Sequence, residues 1–92
     1  MRGYVYLLNS ETTGAKYLGS STDVVQREKE HNNGTTASTR NKGPWKIIKF
    51  WEFETIQEAK RIEYKIKRMK IKLSVEKVEE LILKIRAASS VG

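Results

Sequence analysis

Residues 3 to 34 read GYVYLLNSETTGAKYLGSSTDVVQREKEHNNG, two short β-forming runs followed by a helical segment without an apolar stripe. The runs YVYLL at 4–8 and KYLGS at 16–20 are rich in β-branched and aromatic residues, and the NSETTGA between them is polar with a glycine. That pattern predicts a hairpin. An even number of loop residues would place Tyr6 and Tyr17 on one face, since opposed residues share a face and side chains alternate with a period of two, and an odd number would separate them. Asp23 is positioned to cap a helix and Gln26 to complete a capping-box-like pattern, with the helix running to about Asn32, where NNG stops it. At ~100° per residue, Val24, Arg27, Glu28 and His31 share one side and Val25 lies apart. Polar residues therefore occupy the side that ought to face the sheet.

The rest of the chain supplies more regular elements. NGTTASTRNKG at 33–43 is a polar loop carrying Arg40 and Lys42, and a loop of that length suits a functional contact. After Pro44, WKIIKFWEF predicts a third strand, with Trp45, Ile47, Trp51 and Phe53 expected on one side, Ile48 and Phe50 on the other, and both faces covered. Thr55 and Glu58 form a capping box for a second helix in which Ile56, Ala59, Ile62, Ile66 and Met69 keep a 3.6-residue period, with Glu63 projecting inside that stripe. Ser74 caps a third helix whose buried edge is Val75, Val78, Leu81, Ile82 and Ile85. The order is β-β-α-β-α-α, an α+β class, with a domain expected over 1–86 and a flexible tail over 87–92.

Ninety-two residues with 38% hydrophobic content support one modest core and no separate recognition module. Without cysteine, a run approaching the ~20 apolar residues of a membrane span, or a signal pattern, a soluble cytoplasmic protein is expected, with no membrane partner. Eighteen Lys and Arg against eleven Asp and Glu leave a net charge of +7, which suits a phosphate-bearing partner. KRIEYKIKRMKIK at 60–72 holds seven of those basic residues. The side of that helix away from the core, with Lys60, Arg61, Lys65, Lys67 and Arg68, is expected to follow a nucleic-acid backbone together with Arg40 and Lys42.

Arg27, His31 and Glu63 each stand where a core residue belongs, and burying them is costly unless they are paired or line a wet cleft. Singly, each has an ordinary explanation: a salt bridge between Glu63 and Arg27, a hydrogen-bonded histidine at a helix end, tyrosines in strand packing. As an ordered set, YVY at 4–6, YLG at 17–19, Arg27, EHN at 30–32 and Glu63 in EAKRIEYKIK resemble the GIY-YIG nuclease family. TR at 39–40, PW at 44–45 and WEF at 51–53 continue the likeness, which runs from residue 3 to about 72 and is that of a small stand-alone member.

The resemblance implies a three-stranded antiparallel sheet flanked by helices and metal-dependent hydrolysis of a phosphodiester. Tyr17 then serves as general base, Tyr6 orients water or phosphate, and Arg27 stabilises charge on the phosphate. Glu63 binds a single Mg²⁺ or Mn²⁺, and His31 assists. A DNA endonuclease selecting structure rather than sequence, in repair or recombination, follows from that likeness and from the lack of an attached reading module. Two alternatives share these residues: a nucleic-acid-binding module of the same fold that does not cut, and a catalytic subunit active only with a protein partner. Tyr4 stands where the family name has Gly, and Leu18 where it has Ile. Glu28 follows Arg27 where the family usually has an apolar or aromatic residue, and it is expected to compete with phosphate for the guanidinium.

Overall fold

In the computed structural model, described here for residues 1–34 and 43–90, the elements follow in the order β1 (Gly3–Ser10), β2 (Lys16–Ser21), α1 (Val24–Asn32), β3 (Trp45–Phe53), α2 (Ile56–Arg68) and α3 (Val75–Ser90). Strand β1 is central and pairs antiparallel with both neighbours, giving the order β2-β1-β3. The α+β class and the β-β-α-β-α-α order are those expected. The final helix continues through 87–90, the start of the segment assigned to the tail.

Local chemistry explains the element ends. In the hairpin, Asn9 opposes Lys16 and leaves an even number of residues between them, so Leu8 faces Tyr17 and Tyr6 faces Gly19. The turn closes through Gly14 at φ 75°, whose N–H donates to the Ser10 carbonyl at 2.9 Å. Asp23 Oδ1 accepts from Gln26 N, Thr55 Oγ1 from Glu58 N and Ser74 Oγ from Lys77 N, each at 3.1 Å. Each cap satisfies a donor that the helix itself leaves free.

The sheet buries both faces, unequally. On one, Val5, Leu7, Leu18 and Phe53 meet Ala59, Ile62 and Ile66 of α2 and Val78, Leu81 and Ile82 of α3. A large aliphatic or Phe side chain withdrawn from water in this way contributes ~1.5–3 kcal/mol, so this face carries most of the stability. Gly3 allows the close approach of α2, because a Cβ there would lie 2.5 Å from the Ile56 Cα. On the other face Tyr6, Leu8 and Trp45 form a smaller cluster with Tyr17, Val24 and Ile47. Helix α1 covers that cluster.

Strand β3 departs from the expected alternation. Leu7 pairs with Lys49 but Leu8 with Ile47, so Ile48 is an extra residue in a β-bulge. Beyond the bulge the side chains change faces. Trp45 and Ile47 join the Tyr6 cluster, whereas Trp51 and Phe53 join the larger core. Ile48 and Phe50 remain 42% and 49% exposed, so the second side of this strand is not covered as expected. Met69, expected in the apolar stripe of α2, is instead its exposed C-cap.

Candidate functional site

Helix α1 lies over the Tyr6 face, and its polar side divides into two functions. Glu28 and Asn32, one turn apart, reach the edge of β3: Glu28 Oε2 accepts from the Ile47 N–H at 2.8 Å, and the Asn32 amide bonds the Trp45 backbone. Arg27 and His31, also one turn apart, address the tyrosines. His31 Nε2 and the Tyr6 hydroxyl share a hydrogen bond of 2.9 Å, with both residues buried. The Tyr17 ring lies 4.9 Å from the His31 ring, centroid to centroid.

Arg27 Nη1 donates to Glu30 Oε1 at 2.9 Å, so its acidic partner is Glu30 and not Glu28. This corrects the expectation that Glu28 competes for the guanidinium. The Glu28 carboxylate is directed to β3 by the packing of α1 on that strand. Arg27 Nε is buried and has no hydrogen-bond partner among the described residues. The guanidinium lines a shallow depression with Ser20, Ser21, Thr22, Ile56 and Lys60, where β2 and the first turns of α1 and α2 meet.

Burial raises the Tyr6 hydroxyl above its ordinary range, and Arg27 beside it opposes part of the rise by hydrogen bonding and charge. Burial also lowers His31 below its ordinary value, with Arg27 and Lys67 adding to the effect and Glu30 opposing it. Both shifts favour neutral forms. A neutral phenol beside a neutral imidazole holds one proton between oxygen and nitrogen, which fixes both rings.

Glu63 reaches the same place from α2. Its Oε1 accepts from the Ser20 hydroxyl and its Oε2 pairs with Lys67 Nζ at 2.7 Å. The Lys67 ammonium stands 4.9 Å from the centroid of the Tyr17 ring. Glu63 thus pairs with Lys67, and the alternative salt bridge to Arg27 is replaced by separate partners for each. Tyr6, Tyr17, Arg27, His31 and Glu63 form one connected cluster, with Lys67 bridging Glu63 to Tyr17.

The basic residues of α2 do not act as one surface. At ~100° per residue, Lys60, Glu63 and Lys67 share one flank of the buried Ala59–Ile62–Ile66 stripe, while Arg61, Lys65 and Arg68 share the other. Arg61 accordingly lines a depression with Arg86 of α3, and Arg68 sits over the Tyr64 ring. Arg40 and Lys42 lie outside the described residues.

Ser20, Glu30 and Gly19 also belong to the site; Gly19 and Glu30 stand within the YLG and EHN motifs without a role having been assigned to them, and Ser20 stands outside every motif. Glu30 was legible as an i, i+3 partner of Arg27. Ser20 carried no signal, because it meets Glu63 across 43 residues of sequence. Gly19 opposes Tyr6, and a Cβ there would collide with the hydroxyl and lie 2.5 Å from Cζ. The absent side chain is the space into which the Tyr6 ring leans.

Of the two acids described at the site, Glu30 is held by Arg27, which leaves Glu63 as the carboxylate a divalent ion would use. Among the described residues no group of three or more His, Cys, Asp or Glu could hold a metal. The partly buried Glu63 carboxylate, near the depression lined by Arg27 and Lys60, suits Mg²⁺ or Mn²⁺ sharing its ligands with water and substrate oxygens, as Mg²⁺ commonly does. The residues fit an ion completed by substrate. They do not fit a preformed all-protein cage.

Among the described residues no helix is long and apolar enough to cross a membrane. A family model described as the GIY-YIG catalytic domain matches residues 2–74. The chain is 40% identical over 83 residues to UPF0213 protein BH0048 of Halalkalibacterium halodurans, covering 89% of this chain and 83% of that protein. It is 40% identical over 67 residues to UPF0213 protein CPE1444 of Clostridium perfringens, covering 72% and 71%. The solution NMR structure of UPF0213 protein BH0048 from Bacillus halodurans matches with a TM-score of 0.46 at 38% identity, over 89% of this chain and 83% of that one. With most of its length matched by the family model, and relatives of similar size aligned along it, the chain belongs to the GIY-YIG nuclease family.

Proposed function

We propose that this protein is a metal-dependent endonuclease that hydrolyses phosphodiester bonds in DNA, acting in the cytoplasm on flapped or branched strands during repair or recombination. The observation that carries the reading is the contact chain Arg27–Tyr6–His31–Tyr17–Lys67–Glu63 on one side of a nuclease-family domain.

In this reading Arg27 and Lys60 receive the phosphate in their shared depression, the planar guanidinium matching two phosphate oxygens as a lysine does not. The hydrogen bond to neutral His31 holds the Tyr6 hydroxyl in place to orient water or phosphate. Tyr17, more accessible than Tyr6, takes the proton of the attacking water as general base, the role the family resemblance implies. Glu63, steadied by Ser20, would hold Mg²⁺ or Mn²⁺. When bound, the ion polarises the phosphate and stabilises the leaving oxygen.

The test is purified protein with a panel of labelled linear, flapped and branched DNAs and RNAs, in Mg²⁺, Mn²⁺ or EDTA. Metal-dependent cutting at flaps or branches of DNA is expected. Binding without cutting under every condition would instead support the non-catalytic module, and cutting that EDTA leaves untouched would remove the metal from the scheme.

A further inference from the structure

The Glu63 carboxylate already holds a cation of the protein's own. Lys67, one turn further along α2, places its ammonium 2.7 Å from Oε2, and Ser20 engages Oε1. The Glu63 side chain is only 19% exposed, so little of the carboxylate is open to solvent. The Lys67 side chain is 44% exposed, on a flexible four-carbon stem that can swing outward. A divalent ion arriving at Glu63 in the free protein meets, on that ligand, a tethered positive charge.

We propose that Lys67 exchanges partners as the site loads. In the free protein its ammonium neutralises Glu63 and holds the divalent ion off; when a nucleic-acid phosphate enters, the ammonium transfers to the phosphate and frees the carboxylate. This rests on the reading of Glu63 as the metal ligand. Both halves of the exchange follow from charge. Phosphate offers Lys67 a second anion within reach of the same stem, and its oxygens supply the ligands the protein lacks. Ion and nucleic acid therefore bind cooperatively, and the coupling is reciprocal. A Glu–Lys pair at i, i+4 also stabilises a bare helix, but that role alone gives no coupling between metal and nucleic acid.

Mn²⁺ binding, followed by electron paramagnetic resonance, reads this directly and without catalysis. The full chain is titrated as wild type, Lys67→Met, Lys67→Arg and Glu63→Gln, alone and with a flapped DNA whose phosphorothioate linkages resist hydrolysis. Wild type and Lys67→Arg are expected to bind Mn²⁺ weakly alone and about tenfold or more tighter with DNA, within the usual range of coupling. Lys67→Met is expected to bind it more tightly than wild type alone, with a smaller gain from DNA than wild type shows, the remaining gain coming from the phosphate oxygens as ligands. Thermal unfolding checks that each variant is folded, and Lys67→Gln replaces Lys67→Met if needed. Equal Mn²⁺ affinity in wild type and Lys67→Met, with Glu63→Gln abolishing it, overturns the exchange and leaves the metal site standing. Unchanged binding in Glu63→Gln overturns both. Intact exchange in a protein that cuts nothing overturns the nuclease reading alone.

Discussion

Asn32 binds the backbone of Trp45 at two points, donating from Nδ2 to the carbonyl at 2.9 Å and accepting the N–H on Oδ1 at 2.6 Å. With Glu28 accepting from Ile47 N–H, a helix turn presents to β3 the hydrogen-bonding groups that a further strand would offer. An edge strand otherwise exposes these groups as a template for association. The same contacts set the position of α1, and so of Arg27 and His31, over Tyr6.

Loss of either contact strands backbone groups in a partly buried place. Asn32→Ala is expected to lower unfolding free energy in urea by about 1–3 kcal/mol, and Glu28→Leu by about 1 kcal/mol. Glu28→Leu should not increase cleavage. An increase that shrinks in high salt would return Glu28 to the role of competitor for Arg27.

Gly19→Ala puts a methyl group where the Tyr6 hydroxyl lies. A cost of about 1–3 kcal/mol is expected, together with loss of cleavage, because the ring that His31 holds must move. Tyr6→Phe removes the colliding oxygen but leaves the close Cζ, so the double variant should recover part of the cost and be somewhat less destabilised than the two single costs added. Simple additivity in urea melts would mean that the two residues do not meet.

Removing the guanidinium or the carboxylate should separate holding from cutting. Arg27→Ala is expected to lose most cleavage, and Arg27→Lys should not restore it, since a point charge lacks the fork. Glu63→Gln should abolish cleavage yet bind DNA at least as well as wild type, having lost one negative charge. A Glu63→Gln protein that cuts normally leaves Glu63 as no more than the partner of Lys67.

The two flanks of α2 should differ in their use of salt. Lys60→Ala is expected to lower the slope of log affinity against log salt by about 1, whereas Lys65→Ala, on the far flank, should leave it unchanged. Equal effects in a filter-binding series would mean that nucleic acid wraps both sides.

Two buried groups confine stability to a pH window. His31 titrates below its ordinary 6.5 in the fold, so its contribution is whole above about 6.5 and is lost as pH falls toward the lowered value, where the unfolded chain takes up a proton first. Tyr6 titrates above its ordinary 10.0, so its contribution is whole below about 10 and is lost as pH rises. Urea midpoints measured across pH should show a shallower acid limb in His31→Gln and a shallower alkaline limb in Tyr6→Phe. Unchanged limbs would assign both losses to other groups.

Local rules were enough for much of this molecule. The caps at Asp23, Thr55 and Ser74 and the apolar stripes of α2 and α3 depend on neighbours a few residues away, and each is legible in the residues themselves. So is the ordered motif set that carries the family likeness. The shared face of Tyr6 and Tyr17 is legible only as a condition on loop parity, which the strand register meets. Tertiary structure decided the rest. The extra residue Ile48 turns Trp45 and Ile47 to the opposite face from Trp51 and Phe53, because register across the sheet overrides alternation along one strand. The polar side of α1 divides between the edge of β3 and the tyrosines only because the helix crosses that edge. Lys67 reads in sequence as one of many basic residues, and its place between Glu63 and Tyr17 exists only once α2 packs on β2, bringing Ser20 to Glu63 across 43 residues.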